Sequence, residues 1–130
     1  SSYRSLDSLR RAYRISLSQF DNSRFVTDRD LYAGLIRLHV LHHAAGAPIY
    51  GQEMIEELAH HGYRLSPGTL YPLLHGLEKK GYLRSTQAVA DGVRRRVYRI
   101  TPKGKRAFAA AKTKVKELFG EIFHDDGSAS

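Results

Sequence analysis

A chain of 130 residues is long enough for one core with flanking helical arms, and with 42% hydrophobic and 26% charged residues it has the composition of a folding chain, not a disordered one. Lys and Arg number 21 against 13 Asp and Glu, a formal charge of +8 with neutral His, which points to a polyanionic partner: nucleic acid first, an acidic membrane surface second. With no cysteine there are no disulfides, thiolate metal sites or cysteine nucleophiles, in keeping with a reducing cytoplasm, and no apolar run approaches the ~20 residues that span a bilayer.

Ser1-Ser2-Tyr3-Arg4 leads into an amphipathic segment, not the apolar core of a signal peptide, so export is not expected. Leu6, Leu9, Tyr13, Leu17 and Phe20 recur at helical spacing and predict a helical arm over residues 5–20, within an N-terminal region 1–27. A winged-helix unit is then expected over residues 28–101. Thr27-Asp28-Arg29-Asp30 reads as a near capping box, with Thr27 as cap, before a helix whose Leu31, Leu35, Leu38 and Leu41, with Ile36 and Val40, form a wide stripe expected to be buried on more than one side. Gly46 and Pro48 end it. A short helix is predicted from Gly51 to His60, with Met54, Ile55 and Leu58 inward and Gly62 as its left-handed cap.

The next helix starts near Ser66-Pro67-Gly68-Thr69 and ends at Gly81. If Thr69 caps it, Pro72 falls harmlessly in the first turn; if Ser66 does, Pro72 should bend it, and a tight or irregular first turn is expected. With Leu70, Leu73, Leu74 and Leu77 inward, the outward face carries Gly68, Pro72, His75, Gly76 and Lys79, with Tyr71 on the flank. A solvated helix would carry long charged side chains there, whereas small ones allow close approach to another surface. Thr69, Tyr71 and His75 can bond base edges or phosphates, and Lys79 can neutralise a phosphate.

Segments 82–88 and 94–100 read as strands joined around Ala90-Asp91-Gly92, a hairpin signal. Arg84, Arg94, Arg95 and Arg96, with Arg99 nearby, cluster on this wing, and five arginines without a lysine favour bidentate phosphate contact. Tyr50, Gln52 and Ser66 complete the candidate DNA-binding set. Thr101-Pro102 predicts the start of a long helix over 102–124, followed by a small polar tail, 125–130, expected to be disordered. Phe108, Ala111, Val115, Leu118 and Ile122, with Phe119, form a seam suited to homodimerisation, against which the N-terminal arm is expected to pack, within one subunit or across two. The fold class is therefore mainly α with a small β-hairpin: a dimeric winged helix-turn-helix with flanking helices.

Leu65-Ser66-Pro67-Gly68-Thr69-Leu70-Tyr71-Pro72-Leu73-Leu74 and Leu77-Glu78-Lys79-Lys80-Gly81-Tyr82-Leu83 closely resemble the PadR family of bacterial transcriptional regulators, as do Tyr50-Gly51 and the segment Tyr98 to Gly104. The resemblance spans roughly Leu31 to Phe123. It implies a homodimeric repressor in the bacterial cytoplasm, associated with the nucleoid, whose third helix enters the major groove of double-stranded DNA while the wing grips the backbone and the last helix dimerises. Many relatives answer to small aromatic ligands. Here a C-terminal region of only one helix and the absence of Trp depart from that pattern, and no small-molecule effector is identified. The added arm resembles that of a cyanobacterial clock-modifying member.

Other classes compete less well. His39 with His42 or His43 has helical spacing that can hold a transition metal, but with no carboxylate nearby in the sequence, packed or solvated histidines and no metal are the expectation. No nucleophile elbow, phosphate loop or paired acids are present, so neither an enzyme nor a cofactor is expected. A winged helix serving as a protein-interaction module would need an apolar exposed patch in place of the arginine-rich wing.

Overall fold

The computed structural model describes residues 28–128, so the predicted arm over 5–20 lies outside the described residues. Helix α1, Arg29–Gly46, is capped by Asp28, whose carboxylate accepts the amide of Leu31 at 3.0 Å. The cap is thus Asp28 and not Thr27, and a carboxylate gains from the positive end of the helix dipole as well. Ile36, Val40, Leu41 and Ala44 are buried, whereas Leu31 and Leu35 are 69% and 45% exposed. Only part of the expected leucine stripe therefore serves this chain's core.

Strand β1, Ile49–Tyr50, was not foreseen, since two residues are too few to show alternation. Helix α2, Gly51–His60, buries Met54 and Leu58. Beyond it Gly62, at φ +89°, lets the Tyr63 amide return to the Leu58 carbonyl at 2.8 Å, which closes the helix end. Helix α3, Pro67–Lys79, is capped at Ser66 with Pro67 in the first helical position. Its first turn is tight, as expected: the amides of Thr69 and Leu70 both reach the Ser66 carbonyl, at 3.0 and 2.9 Å. Pro72 sits inside the helix, where its missing amide leaves the carbonyl of exposed Gly68 to solvent.

Strands β2, Leu83–Ala90, and β3, Val93–Ile100, pair antiparallel through a two-residue turn, Asp91-Gly92, with φ of +54° and +76°. Two successive left-handed residues match the twist of a hairpin, and aspartate and glycine tolerate them best. The sheet order is β1-β3-β2, with Ile49 opposite Tyr98 and Tyr50 opposite Val97. Helix α4, Pro102–Ser128, starts where the Thr101 hydroxyl accepts the Gly104 amide at 2.9 Å and donates toward the carbonyls of Gly81 and Tyr82. That hydroxyl ties the helix start to the turn after α3. The helix continues to Ser128, so residues 125–128, expected in a disordered tail, are helical.

The core lies where α1, α2, α3 and the sheet meet: Val40, Ile49, Met54, Leu58, Leu70, Leu74, Leu83 and Val97 are fully buried. It thereby fixes which face of α3 points outward. Among the described residues no helix is long and apolar enough to cross a membrane.

Candidate nucleic-acid interface

Leu70, Leu74 and Leu77 are buried and Leu73 is half-buried, which turns Gly68, Pro72, His75 and Lys79 to the surface with Gly76 between them. The small residues on this face are not demanded by the fold. A Cβ built on Gly76 would meet nothing within 4 Å, and one on Gly68 only the Ser66 hydroxyl at 3.7 Å. At two other positions glycine is obligatory: a Cβ on Gly51 would fall on the Tyr71 phenol ring, and one on Gly104 on the Tyr82 carbonyl, whereas Gly34 and Gly120 have open space like Gly76. Tyr71, predicted on the flank, therefore lies across the start of α2 while remaining 41% exposed. Ser66 and Thr69 put their hydroxyls 3.3 Å apart at the N-terminal end of α3, and Gln52 is exposed in the first turn of α2.

Directly opposed residues of an antiparallel pair share a face. The register sets Gln87 against Arg96 and Val89 against Arg94 on one face of the wing, and Arg84 against Arg99 and Ala88 against Arg95 on the other. The arginines are not equivalent. Arg84 and Arg94 are exposed and make no hydrogen bond or ion pair among the described residues, while Arg99 donates to the Thr86 hydroxyl at 3.2 Å. Arg95, expected among the free phosphate-binding arginines, is a clamp: its Nη2 donates to both Glu53 oxygens at 2.8 and 2.6 Å, and its guanidinium lies 4.2 Å from the Tyr50 ring centroid. The Glu53 hydrogen bonds raise the Arg95 pKa. Tyr50 is correspondingly half-buried, held in β1 beneath Arg95.

A second anchor joins the wing to the end of α3. Glu78 accepts the Ser85 hydroxyl at 2.7 Å and its amide at 3.1 Å, and Arg96 Nη1 donates to the same hydroxyl at 2.8 Å. The Ser85 hydroxyl bond foremost holds the Glu78 carboxyl below the usual carboxylate range. Sequence reasoning missed Glu53, Glu78 and Ser85, because each acts on a partner that only the fold brings near. Together the anchors hold the arginine-bearing hairpin against α2 at one point and α3 at another, so the wing and the slim helix face keep a fixed relation.

Phe108 is half-buried against the chain's own core, with its ring 6.1 Å from His42, so the first turns of α4 fold back on α1 instead of standing free. Ala111 is half-buried too. Farther along, Val115, Leu118, Phe119, Ile122 and Phe123 are between 43% and 60% exposed. An apolar groove of about 820 Å³ runs between α1 and α4, bordered by Leu35, Leu38, Phe108, Val115 and Phe119.

Residues 40–110 match the family described as "Transcriptional regulator PadR-like family". The transcriptional regulator Rv3488 of Mycobacterium tuberculosis is 49% identical over 94 residues, 72% of this chain and 88% of that one. Among solved structures, a PadR family transcriptional regulator from Eggerthella lenta is 29% identical with a TM-score of 0.64, over 73% of this chain and 84% of its own. A transcriptional regulator from Clostridium thermocellum is 27% identical with a TM-score of 0.62, over 74% and 96%.

Proposed function

The chain belongs to the PadR-like family of transcriptional regulators and is a DNA-binding regulator, not an enzyme, and on that premise we propose that it acts as a homodimeric repressor on an inverted-repeat operator. Two copies of α3 enter successive major grooves about 34 Å apart, and occupation of the operator blocks the polymerase. On each α3, Thr69, Tyr71 and His75 read base edges, the slim surface at Gly68, Pro72 and Gly76 permits the close approach, and Lys79, Ser66 and Gln52 contact phosphates. Arg84, Arg94 and Arg96 of the wing neutralise flanking phosphates. Tyr50 and Arg95 act one step back, as the joint that aims the wing.

The observation that carries this reading is the run of small residues, Gly68, Pro72 and Gly76, with open space at Gly76, on the face of α3 opposite the buried Leu70, Leu74 and Leu77. A glycine in a helix interior costs about 0.5–1 kcal/mol relative to alanine, and here no contact within the chain requires it. A surface that must seat in a groove supplies the reason. Homodimerisation through α4 is supported by its exposed apolar side chains, Val115, Leu118, Phe119 and Ile122, with Ala111 beside them, while Phe108 anchors the helix to its own subunit. The setting proposed is the bacterial cytoplasm, at the nucleoid.

Selection of bound duplexes from a random pool, followed by footprinting, tests the proposal. The expected result is an enriched palindrome with half-site centres ~10–10.5 base pairs, or a multiple of that, apart. No enrichment over random duplex would overturn sequence-specific regulation.

A further inference from the structure

A histidine cluster lies apart from the surface assigned to DNA. His39 and His43 stand one turn apart on the same face of α1, and His61 follows α2 directly. One ligand nitrogen from each of the three lies within 4.8 Å of the other two, and the His39 and His61 ring centroids are 4.7 Å apart. A carboxylate joins them: Glu57 Oε1 is 3.8 Å from His43 Nε2 and 3.9 Å from His61 Nε2. In sequence His39 could be paired only with its neighbours on one helix. Folding supplies the third imidazole and the acid.

We propose that His39, His43 and His61, with Glu57 as fourth ligand, bind one divalent transition-metal ion, zinc in the first instance. Three imidazoles and a carboxylate suit zinc and its neighbours, not magnesium or calcium, which take all-oxygen sets. Tetrahedral zinc at ~2.0–2.1 Å from nitrogen sets ligand atoms roughly 3.4 Å apart, so side-chain rotations of about 1 Å close the site. Two ligands come from one helix at i and i+4 and two from α2 and its end, so one ion crosslinks two elements. His61, 42% exposed at its side chain, leaves the site open to solvent for entry, whereas Glu57 is 16% exposed and gives it a sheltered wall.

The position gives the ion a consequence. His61 immediately precedes Gly62 and the turn that delivers α3, and α1 carries the packed start of α4. Occupancy would tie the entrance of α3 to α1, and metal binding and duplex binding would be coupled. That coupling, though not the site itself, rests on the DNA-binding reading above.

The test uses the untagged full chain, stripped by chelator and titrated with zinc chloride by calorimetry. One ion per chain is expected, with affinity reduced at least ~10-fold by His39→Ala or His61→Ala and unchanged by His124→Ala. No heat above buffer, or equal binding by all variants, would overturn the site. Cobalt added to the wild-type chain gives a reading that does not depend on any variant folding: intense visible bands of tetrahedral cobalt, bleached by zinc, are expected, and their absence counts against the proposal. Duplex affinity is then compared with and without zinc. A change of at least ~5-fold that is lost in His61→Ala is expected. Zinc binding without that change overturns the coupling alone; a chain that takes up zinc but ignores every duplex overturns the DNA reading and leaves the site standing.

Discussion

Replacing Gly76 by alanine and by leucine separates what the fold requires from what a bound duplex requires. A Cβ at this position would find no atom within 4 Å beyond its own helix backbone and chain neighbours, so alanine meets no steric obstacle inside the chain and leucine starts from open space. Glycine costs a helix interior about 0.5–1 kcal/mol relative to alanine, so Gly76→Ala should stabilise the protein by roughly that amount. In a domain of this size ~1 kcal/mol moves the thermal midpoint by roughly 4–8 °C. Gly76→Leu should fold about as well, because leucine is nearly as good a helix former as alanine. On DNA the order reverses. With α3 seated in the major groove, the leucine side chain displaces helix from groove, and a loss of about 1–3 kcal/mol, roughly five- to 150-fold in affinity, is expected. Thermal scanning and fluorescence anisotropy on a selected duplex read the two quantities separately. Wild-type affinity in a folded Gly76→Leu protein would refute the assignment of this face, and unfolding of both variants would refute the open space itself.

Other consequences follow from the joints of the wing and helices. Arg95→Ala removes a short, half-sheltered ion pair with Glu53 and should lower stability by about 1–2 kcal/mol in urea denaturation, whereas Arg94→Ala, at an exposed site, should leave stability unchanged and weaken duplex binding. Thr101→Val keeps the shape but loses the hydroxyl that caps α4 and holds the Gly81 and Tyr82 carbonyls, so the urea midpoint should fall by an amount worth about 1–2 kcal/mol. Glu78 ionises more readily folded than unfolded, so its contribution is whole above its ordinary value of 4.5 and is lost as pH falls through the lowered folded value. Glu78→Gln should therefore flatten that part of the acid limb of a stability profile. Leu118→Asp should give a monomer in sedimentation at micromolar concentration, with half-site binding only; a surviving dimer would move the interface off α4.

What the sequence disclosed is what is local. Helical periodicity, the Asp91-Gly92 turn and the Thr101-Pro102 start each act within a few residues, and each reappears in the structure close to its predicted place. The outward face of α3 was legible for the same reason, since burying Leu70, Leu74 and Leu77 leaves only one orientation. Three things were hidden. Strand β1 exists because β3 offers it partners, not because Ile49-Tyr50 has a pattern of its own. The clamps from Glu53 to Arg95 and from Glu78 to Ser85 join residues that sit together only after folding, so Arg95 read as one more arginine in a run. Which of the leucines of α1 meet the chain's own core was hidden too, because an apolar stripe does not say whether it meets its own domain or another surface, and Leu31 and Leu35 stay exposed. Composition, from which the tail reads as disordered, does not mark where a helix begun upstream stops, and α4 runs to Ser128.

The most direct test of the central claim, that the arginines borne on both faces of the protruding wing act with the slim face of α3 as a cationic grip on duplex DNA, is affinity measured against salt for the wild type and for a variant with Arg84, Arg94 and Arg96 changed to alanine. With ~6 to 10 phosphate contacts per dimer, wild-type affinity should fall by roughly 10³ to 10⁵ between about 50 and 200 mM salt, and the variant should show a slope shallower by about one for each contact removed. A flat wild-type profile, or a slope the three substitutions leave untouched, would contradict it.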